Sequence, residues 1–153
     1  MYRTLFFVLP AILIALLFFP VPCVGSLQSL LRSQGLPAGI FPDYVTSFHL
    51  DQDGRLEVVL EGPCMAKFEA RVYYDSVVRA NLSYGGLVGL EGLSQEELFL
   101  WLPVRGIEVS DPGLILFDIG LAHKQLSLSL FEEPPVCKPQ DGELYNLGRK
   151  SRI

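Results

Sequence analysis

The residue types best suited to chemistry are scarce in this chain: two histidines, His49 and His123, and three cysteines among 153 residues. An acyl-transfer site needs a nucleophile, a base and an orienting acid in contact. Only the two histidines could serve as the base, and no Gly-x-Ser-x-Gly turn presents a serine to either. His49 falls in a strand pattern beside a turn and His123 in a hairpin connection, places where a histidine is ordinarily just solvated. Carboxylates are plentiful, as in Glu96-Glu97, Glu132-Glu133 and Asp51 with Asp53. Glycosidic cleavage requires two of them at a set separation across a cleft, whereas adjacent acids beside strands usually face water. Asp51-x-Asp53-Gly54 has the opening of a calcium loop without the rest of its ligand series. Neither Cys-x-x-Cys nor His-x-x-x-His spacing is present to suggest zinc. These residue types predict no catalytic residue, no metal and no cofactor.

Three other sets carry chemistry of a different kind. Asn81-Leu82-Ser83 is an acceptor for N-glycosylation, with Asn81 on the polar side of its strand. Phe99, Trp101, Leu116 and Phe117, with the leucines of an N-terminal helix, could line a pocket for a lipid or pigment tail, since ligand sites are mostly apolar. The same residues would equally serve as the ordinary core of a β-domain this size. The cysteines depend on compartment, which the front of the chain addresses. Arg3 is the only charge before Arg32, and residues 5–19 are apolar throughout. Cys23 and Gly25 then supply small residues three and one positions before a cut that leaves Ser26 first. That is the grammar of a secretory signal at 1–25. An uncleaved anchor is the rival, because residues 5–24 approach the length that spans a bilayer; Pro10, Pro20 and Pro22 favour cleavage. Either way the domain is expected outside the cytosol, with no stable membrane span once the signal is removed. In that oxidising setting Cys64 and Cys137 are expected to form a disulfide, the alternatives being two buried thiols or a bridge to another molecule.

The elements that must position these residues read as mainly β. Leu27, Leu30 and Leu31 stand at helical spacing before Gly35 and Pro37, which predicts one short amphipathic helix over 26–34. Strands follow at 44–50 and 55–60 around the turn Asp51-Gln52-Asp53-Gly54, with Leu56, Val58 and Leu60 on one side. Alternation continues through Phe68, Ala70 and Val72, through Val78, Ala80, Leu82 and Tyr84, and through Leu126, Leu128 and Leu130. Residues 98–102 and 114–117 are apolar at every position, which predicts strands covered on both faces. Turn signals every 8–15 residues or so predict an antiparallel barrel or sandwich-like single domain over 26–137. A polar, disordered tail is expected at 138–153. Between 26 and 137 stand 7 basic and 15 acidic side chains, a net of −8. So acidic a body argues against nucleic acid and against an anionic membrane surface. Nothing in the sequence fixes an oligomeric state.

Several stretches together resemble a plant family, domain of unknown function 538. They are Leu30-Leu31-Arg32-Ser33-Gln34-Gly35-Leu36-Pro37, Phe41-Pro42-Asp43-Tyr44-Val45-Thr46-Ser47, Glu61-Gly62-Pro63-Cys64, Glu97-Leu98-Phe99-Leu100-Trp101-Leu102-Pro103-Val104, Phe117-Asp118-Ile119-Gly120 and Phe131-Glu132-Glu133-Pro134-Pro135-Val136-Cys137. The resemblance covers about residues 29–137. It implies a compact, barrel-like β-domain with an N-terminal helix, often exported, and it puts both Cys64 and Cys137 on family motif positions. Similarity to lipid-binding proteins of the bactericidal/permeability-increasing type, hydrolysis of chlorophyll esters, and a link to growth and stress responses have each been suggested for the family, without a residue motif that transfers here. The segment Val109-Ser110-Asp111-Pro112-Gly113-Leu114 departs from the family in being shorter and more apolar. The resemblance implies little about activity; the expected function is a non-enzymatic extracytoplasmic binding domain for a lipidic or pigment ligand, with a weak hydrolase of apolar esters or a cell-wall interaction module as alternatives.

Overall fold

The computed structural model describes residues 26–110 and 112–140. The expected signal peptide at 1–25 and residues 141–153 of the expected tail lie outside the described residues.

Helix α1, Leu27–Ser33, starts where Ser26 Oγ accepts the Ser29 amide at 3.1 Å. It stops at Gly35, which takes φ +71°. Leu36 N then donates to Leu31 O at 2.9 Å and Gly35 N to Arg32 O at 3.1 Å, the paired bonds of a glycine-terminated helix. Seven residues make a helix that is marginal alone. Its stability comes from burying Leu27 and Leu31, followed by Leu36, Ile40 and Phe41.

Ten strands among the described residues form one antiparallel sheet. They are β1 (Val45–Leu50), β2 (Arg55–Leu60), β3 (Cys64–Lys67), β4 (Arg71–Ser83), β5 (Gly86–Glu97), β6 (Leu100–Pro103), β7 (Gly106–Ser110), β8 (Leu114–Asp118), β9 (His123–Ser127) and β10 (Lys138–Pro139). The long hairpin β4–β5 is the spine. One half of β4 pairs β3 and the other pairs β2; one half of β5 pairs β6 and the other pairs β7. Between the halves β4 is bulged from Tyr74 to Arg79, and Gly92 faces the bulge with φ +94°. A methyl on Gly92 would lie 2.5 Å from Val77 O, so only glycine lets the strands come this close where they bend. The main path runs β1-β2-β4-β5-β7-β8-β9 and does not close, which makes an open, barrel-like sheet.

The inward face alternates as the sequence predicts in β2, where Leu56, Val58 and Leu60 are buried. One core cluster joins those residues to the helix leucines and to Tyr74, Phe117 and Phe131. Tyr74 is fully buried; its hydroxyl donates to Ile40 O at 2.6 Å, and burial pushes the phenol far above its ordinary range. Strand β1 opens on the turn expected at 51–54, where Asp51 Oδ1 accepts the amides of Asp53 and Arg55, both at 2.9 Å.

Five expectations need correction. Residues 98–102 are not a strand covered on both faces: Leu98 and Phe99 form a turn and are 85% and 94% exposed. Residues 114–117 are not covered on both faces either, since Leu114 and Leu116 point outward while Ile115 and Phe117 are buried. Phe68 and Ala70 lie in the turn between β3 and β4, not in a strand. Strand β9 ends at Ser127, and Leu128–Phe131 is a 3-10 turn that drives Phe131 rather than Leu130 into the core. Pairing also continues past 137, because Lys138 and Pro139 lie against Met65 and Cys64.

Two terminal segments cross over one another. Asp43 N donates to Pro135 O at 3.1 Å. A methyl on Gly39 would overlap the carbonyl oxygens of Glu133 and Phe131. Both obstacles are backbone, so the chain cannot yield by rotating a side chain. Gly39→Ala should therefore cost about 2–3 kcal/mol, the scale of overpacking in a tight core. A urea midpoint equal to that of the parent would show that the crossing is looser than described.

Candidate functional site

The feature least expected of a folded domain is the tip of the β5–β6 hairpin. Register sets Gln95 opposite Leu102, Glu96 opposite Trp101 and Glu97 opposite Leu100, leaving Leu98 and Phe99 as a two-residue turn. Both are left-handed, with φ of 49° and 67°. Tight hairpins of this kind favour Asn-Gly, because other L-residues are strained at positive φ. Here two large apolar residues bear that strain, and both point into solvent. Leu100 beside them is 52% exposed. Strained backbone that carries exposed apolar side chains is a pointer to function rather than to stability.

Below the tip the hairpin's outward face is aromatic and cationic. Trp101 is half-buried, edge-on to Tyr73 with ring centres 6.4 Å apart. The Arg71 guanidinium lies 5.7 Å from the Trp101 ring centre and pairs with Glu96. That hydrogen bond raises the Arg71 pKa further, so its charge is permanent. On the inward face Lys124 reaches from β9 to Glu97 at 3.2 Å, and Gln95 donates to the same carboxylate at 3.3 Å. The hairpin base is thus held from both sides while its tip is free of packing.

A groove of 540 Å³ lies on the outward side of β5, β7, β8 and β9. Register places Asn81, Val88, Gly106, Asp118 and His123 in one cross-strand row, and Ser83, Gly86, Glu108, Leu116 and Gln125 in the next. Gly86 and Gly106 contribute no side chains to the groove floor. Asp118 Oδ1 accepts the Gly120 amide at 2.9 Å. Ser83 and His123 both line this groove, but four strand spacings separate them, about 19 Å at 4.8 Å each. A nucleophile and base must lie within about 3 Å. His49 is on β1, at the other end of the sheet path, opposite Glu57. Among the described residues no group of three or more His, Cys, Asp or Glu could hold a metal ion.

The residues singled out from sequence are thus dispersed. Phe99 is at the hairpin tip and Trp101 on the flank of the same hairpin. Leu116 faces the groove. Phe117 is 1% exposed in the core, 5.5 Å from the Phe131 ring. Among the described residues Phe99 and Leu116 line different hollows, and Phe117 lies in the core. Asn81 is exposed on β4, and Cys64 and Cys137 form a disulfide with Cα atoms 5.5 Å apart. Sequence reasoning missed Leu98 and Tyr84. Tyr84 directly precedes Gly85-Gly86, a turn signal that could have put it outside the core.

With this geometry in hand, comparison with known proteins supplies the family. Residues 27–132 match the family described as "Protein of unknown function, DUF538". The chain belongs to this family. A relative, the uncharacterized protein At5g01610 of Arabidopsis thaliana, is 26% identical over 98 residues, covering 62% of this chain and 56% of that protein. The chain thus spans a little over half the length of that relative. The DUF538 match takes in α1 and nine of the strands, including the apolar tip and the groove, and ends before Cys137. Among the described residues no helix is long and apolar enough to cross a membrane.

Proposed function

We propose that this DUF538 domain is a non-catalytic binding module that works outside the cytosol and attaches reversibly to a lipid surface through Leu98, Phe99 and Leu100. The observation that carries the reading is the exposure of Leu98 and Phe99 on a strained turn, with Leu100 half-exposed beside them. The hollow that Leu98 and Phe99 line with Ala70, Arg71 and Glu96 is shallow and wide open, so the two side chains are offered to a surface rather than wrapped around a small molecule. Phe117 and Phe131, the core aromatics best placed to hold a buried apolar tail, are packed on one another. Behind the tip, Trp101 under Arg71 repeats the amphipathic belt that settles at a membrane interface. The disulfide suits a compartment outside the reducing cytosol.

Magnitudes fit transient attachment. Burying one such apolar side chain is worth about 1.5–3 kcal/mol, and the tip offers a little more than two, so about 4–6 kcal/mol is available. That is comparable to a single lipid anchor, which binds membranes only marginally. The acidic body adds no attraction to anionic lipid, so a neutral surface is the fitting target.

Trp101 is the chain's single tryptophan and stands two residues from Phe99, so it reports on the tip itself. Adding neutral phosphatidylcholine vesicles should shift its emission to shorter wavelength, saturably. Emission unchanged at every lipid concentration would remove the lipid-surface reading.

A further inference from the structure

We propose that the groove beginning at Tyr84 is a second binding site and that its ligand is a neutral sugar chain. The proposal does not rest on the lipid-surface reading, because Tyr84 occupies the β4–β5 turn, at the opposite end of β5 from the apolar tip.

The platform comes first. A methyl built on Gly35 would lie 2.9 Å from the Tyr84 Cζ and 3.2 Å from both Cε1 and Cε2, so the ring lies flat across the glycine. The residue is nonetheless 81% exposed. One ring face therefore rests on backbone and the other is open. The support is fixed: Gly85 N donates to Gln34 O at 2.6 Å, tying the turn to the end of α1. Gly35 holds φ +71°, where a side chain would strain the backbone and also push the ring away. A large aromatic residue held flat with one face bare has little rotamer freedom left to lose when a flat apolar surface stacks on it. The C–H face of a pyranose is such a surface, and the electron-rich ring face attracts its weakly positive hydrogens.

The groove continues from this platform. Where Gly86 and Gly106 remove side chains the sheet surface drops, giving 540 Å³ of space, within the range of about 300–1,000 Å³ typical of ligand sites. Val88 is 60% exposed there and offers an apolar wall. Around the floor stand Arg105 as a donor, Glu108 and Asp118 as acceptors, and His123. Sugar hydroxyls need donors and acceptors together, which a lipid tail does not. Two carboxylates against one guanidinium, on a body of net negative charge, disfavour a polyanionic chain. The ligand class is therefore neutral polysaccharide.

The test is affinity electrophoresis of the whole chain carrying Asn81→Gln, so that no glycan of its own stands beside Val88 in the same cross-strand row. Gels contain a neutral β-glucan, a neutral mannan or polygalacturonate. At least one neutral polymer should retard the protein. Tyr84→Ala should weaken that retardation at least tenfold in apparent Kd, while Tyr84→Phe, which keeps the ring, should retain it. The exposure of Tyr84 lets both variants fold, and matching thermal midpoints check this. Retardation by no polymer, by polygalacturonate alone, or equally with Tyr84→Ala would each overturn the proposal.

Discussion

Replacing Leu98 by Asn and Phe99 by Gly should stabilise the domain and at the same time abolish its attachment to lipid. The two effects have separate causes. An L-residue with a Cβ costs roughly 1–2 kcal/mol in the left-handed conformation, and Asn and Gly bear it with little or no penalty. With Leu98 at φ 49° and Phe99 at φ 67°, the Asn-Gly turn should raise stability by about 1–2 kcal/mol after the entropy lost by fixing a glycine is discounted. Little packing is lost, because the two side chains are 85% and 94% exposed. Binding falls for a different reason. The double substitution removes most of the apolar area that can enter a bilayer, and a loss of about 3–4 kcal/mol is at least a hundredfold in partitioning. Urea unfolding and vesicle sedimentation on the same protein measure both. A more stable variant that still sediments with vesicles would sink the lipid reading. A less stable one would show that the tip packs against something in the folded chain. A gain in stability bought with function is the expected trade where a site is strained for use.

The second large effect concerns the disulfide. Cys64→Ala with Cys137→Ala should lower unfolding free energy by about 4–5 kcal/mol, the loop-closure entropy of a crosslink of this span. The two cysteines are 73 residues apart, and the bond pins the strip carrying β10 onto β3. Domains this size hold only about 5–15 kcal/mol in total, so the variant should unfold at far lower urea or fail to accumulate. The same shift should appear in the parent protein on adding reductant. A parent whose urea midpoint is indifferent to reductant would mean that the thiols are not joined.

How much of this was legible from sequence depends on how each segment announces itself. Residues 55–60 alternate cleanly, so the strand and its buried Leu56, Val58 and Leu60 follow from period alone. The turn at 51–54 carries Asp and Gly and was equally plain. The stretch 98–102 reads as a strand because its turn contains neither Gly nor Asn. The only signal was the pair Glu96-Glu97 preceding it, and five apolar residues outweighed them. Period also failed at Leu128, where the alternating leucines run on past the strand into a 3-10 turn. Of the four candidate pocket residues, Phe117 went to the core and Leu116 to the opposite face, a separation that the two-residue period of a strand imposes once β8 is a strand with one wet side. The platform at Tyr84 was beyond reach. It depends on Gly35, some fifty positions away, and no local pattern connects a helix end to a hairpin turn.

The strand order has a bearing on how the molecule comes into being. Six pairings, β1–β2, β3–β4, β4–β5, β5–β6, β7–β8 and β8–β9, join strands adjacent along the chain. Two more, β2–β4 and β5–β7, skip a single strand. Such a sheet can zip outward from local hairpins with little loop entropy to overcome at each step. Among the described residues only β3–β10 spans a long stretch of chain, and that pairing carries the two sulfurs. The thiols are therefore brought together by a sheet that already exists, and oxidation seals the product instead of steering its formation. Among the described residues the main path of the finished sheet still ends on the bare edges of β1 and β9, which leaves two places where a second copy could add a strand.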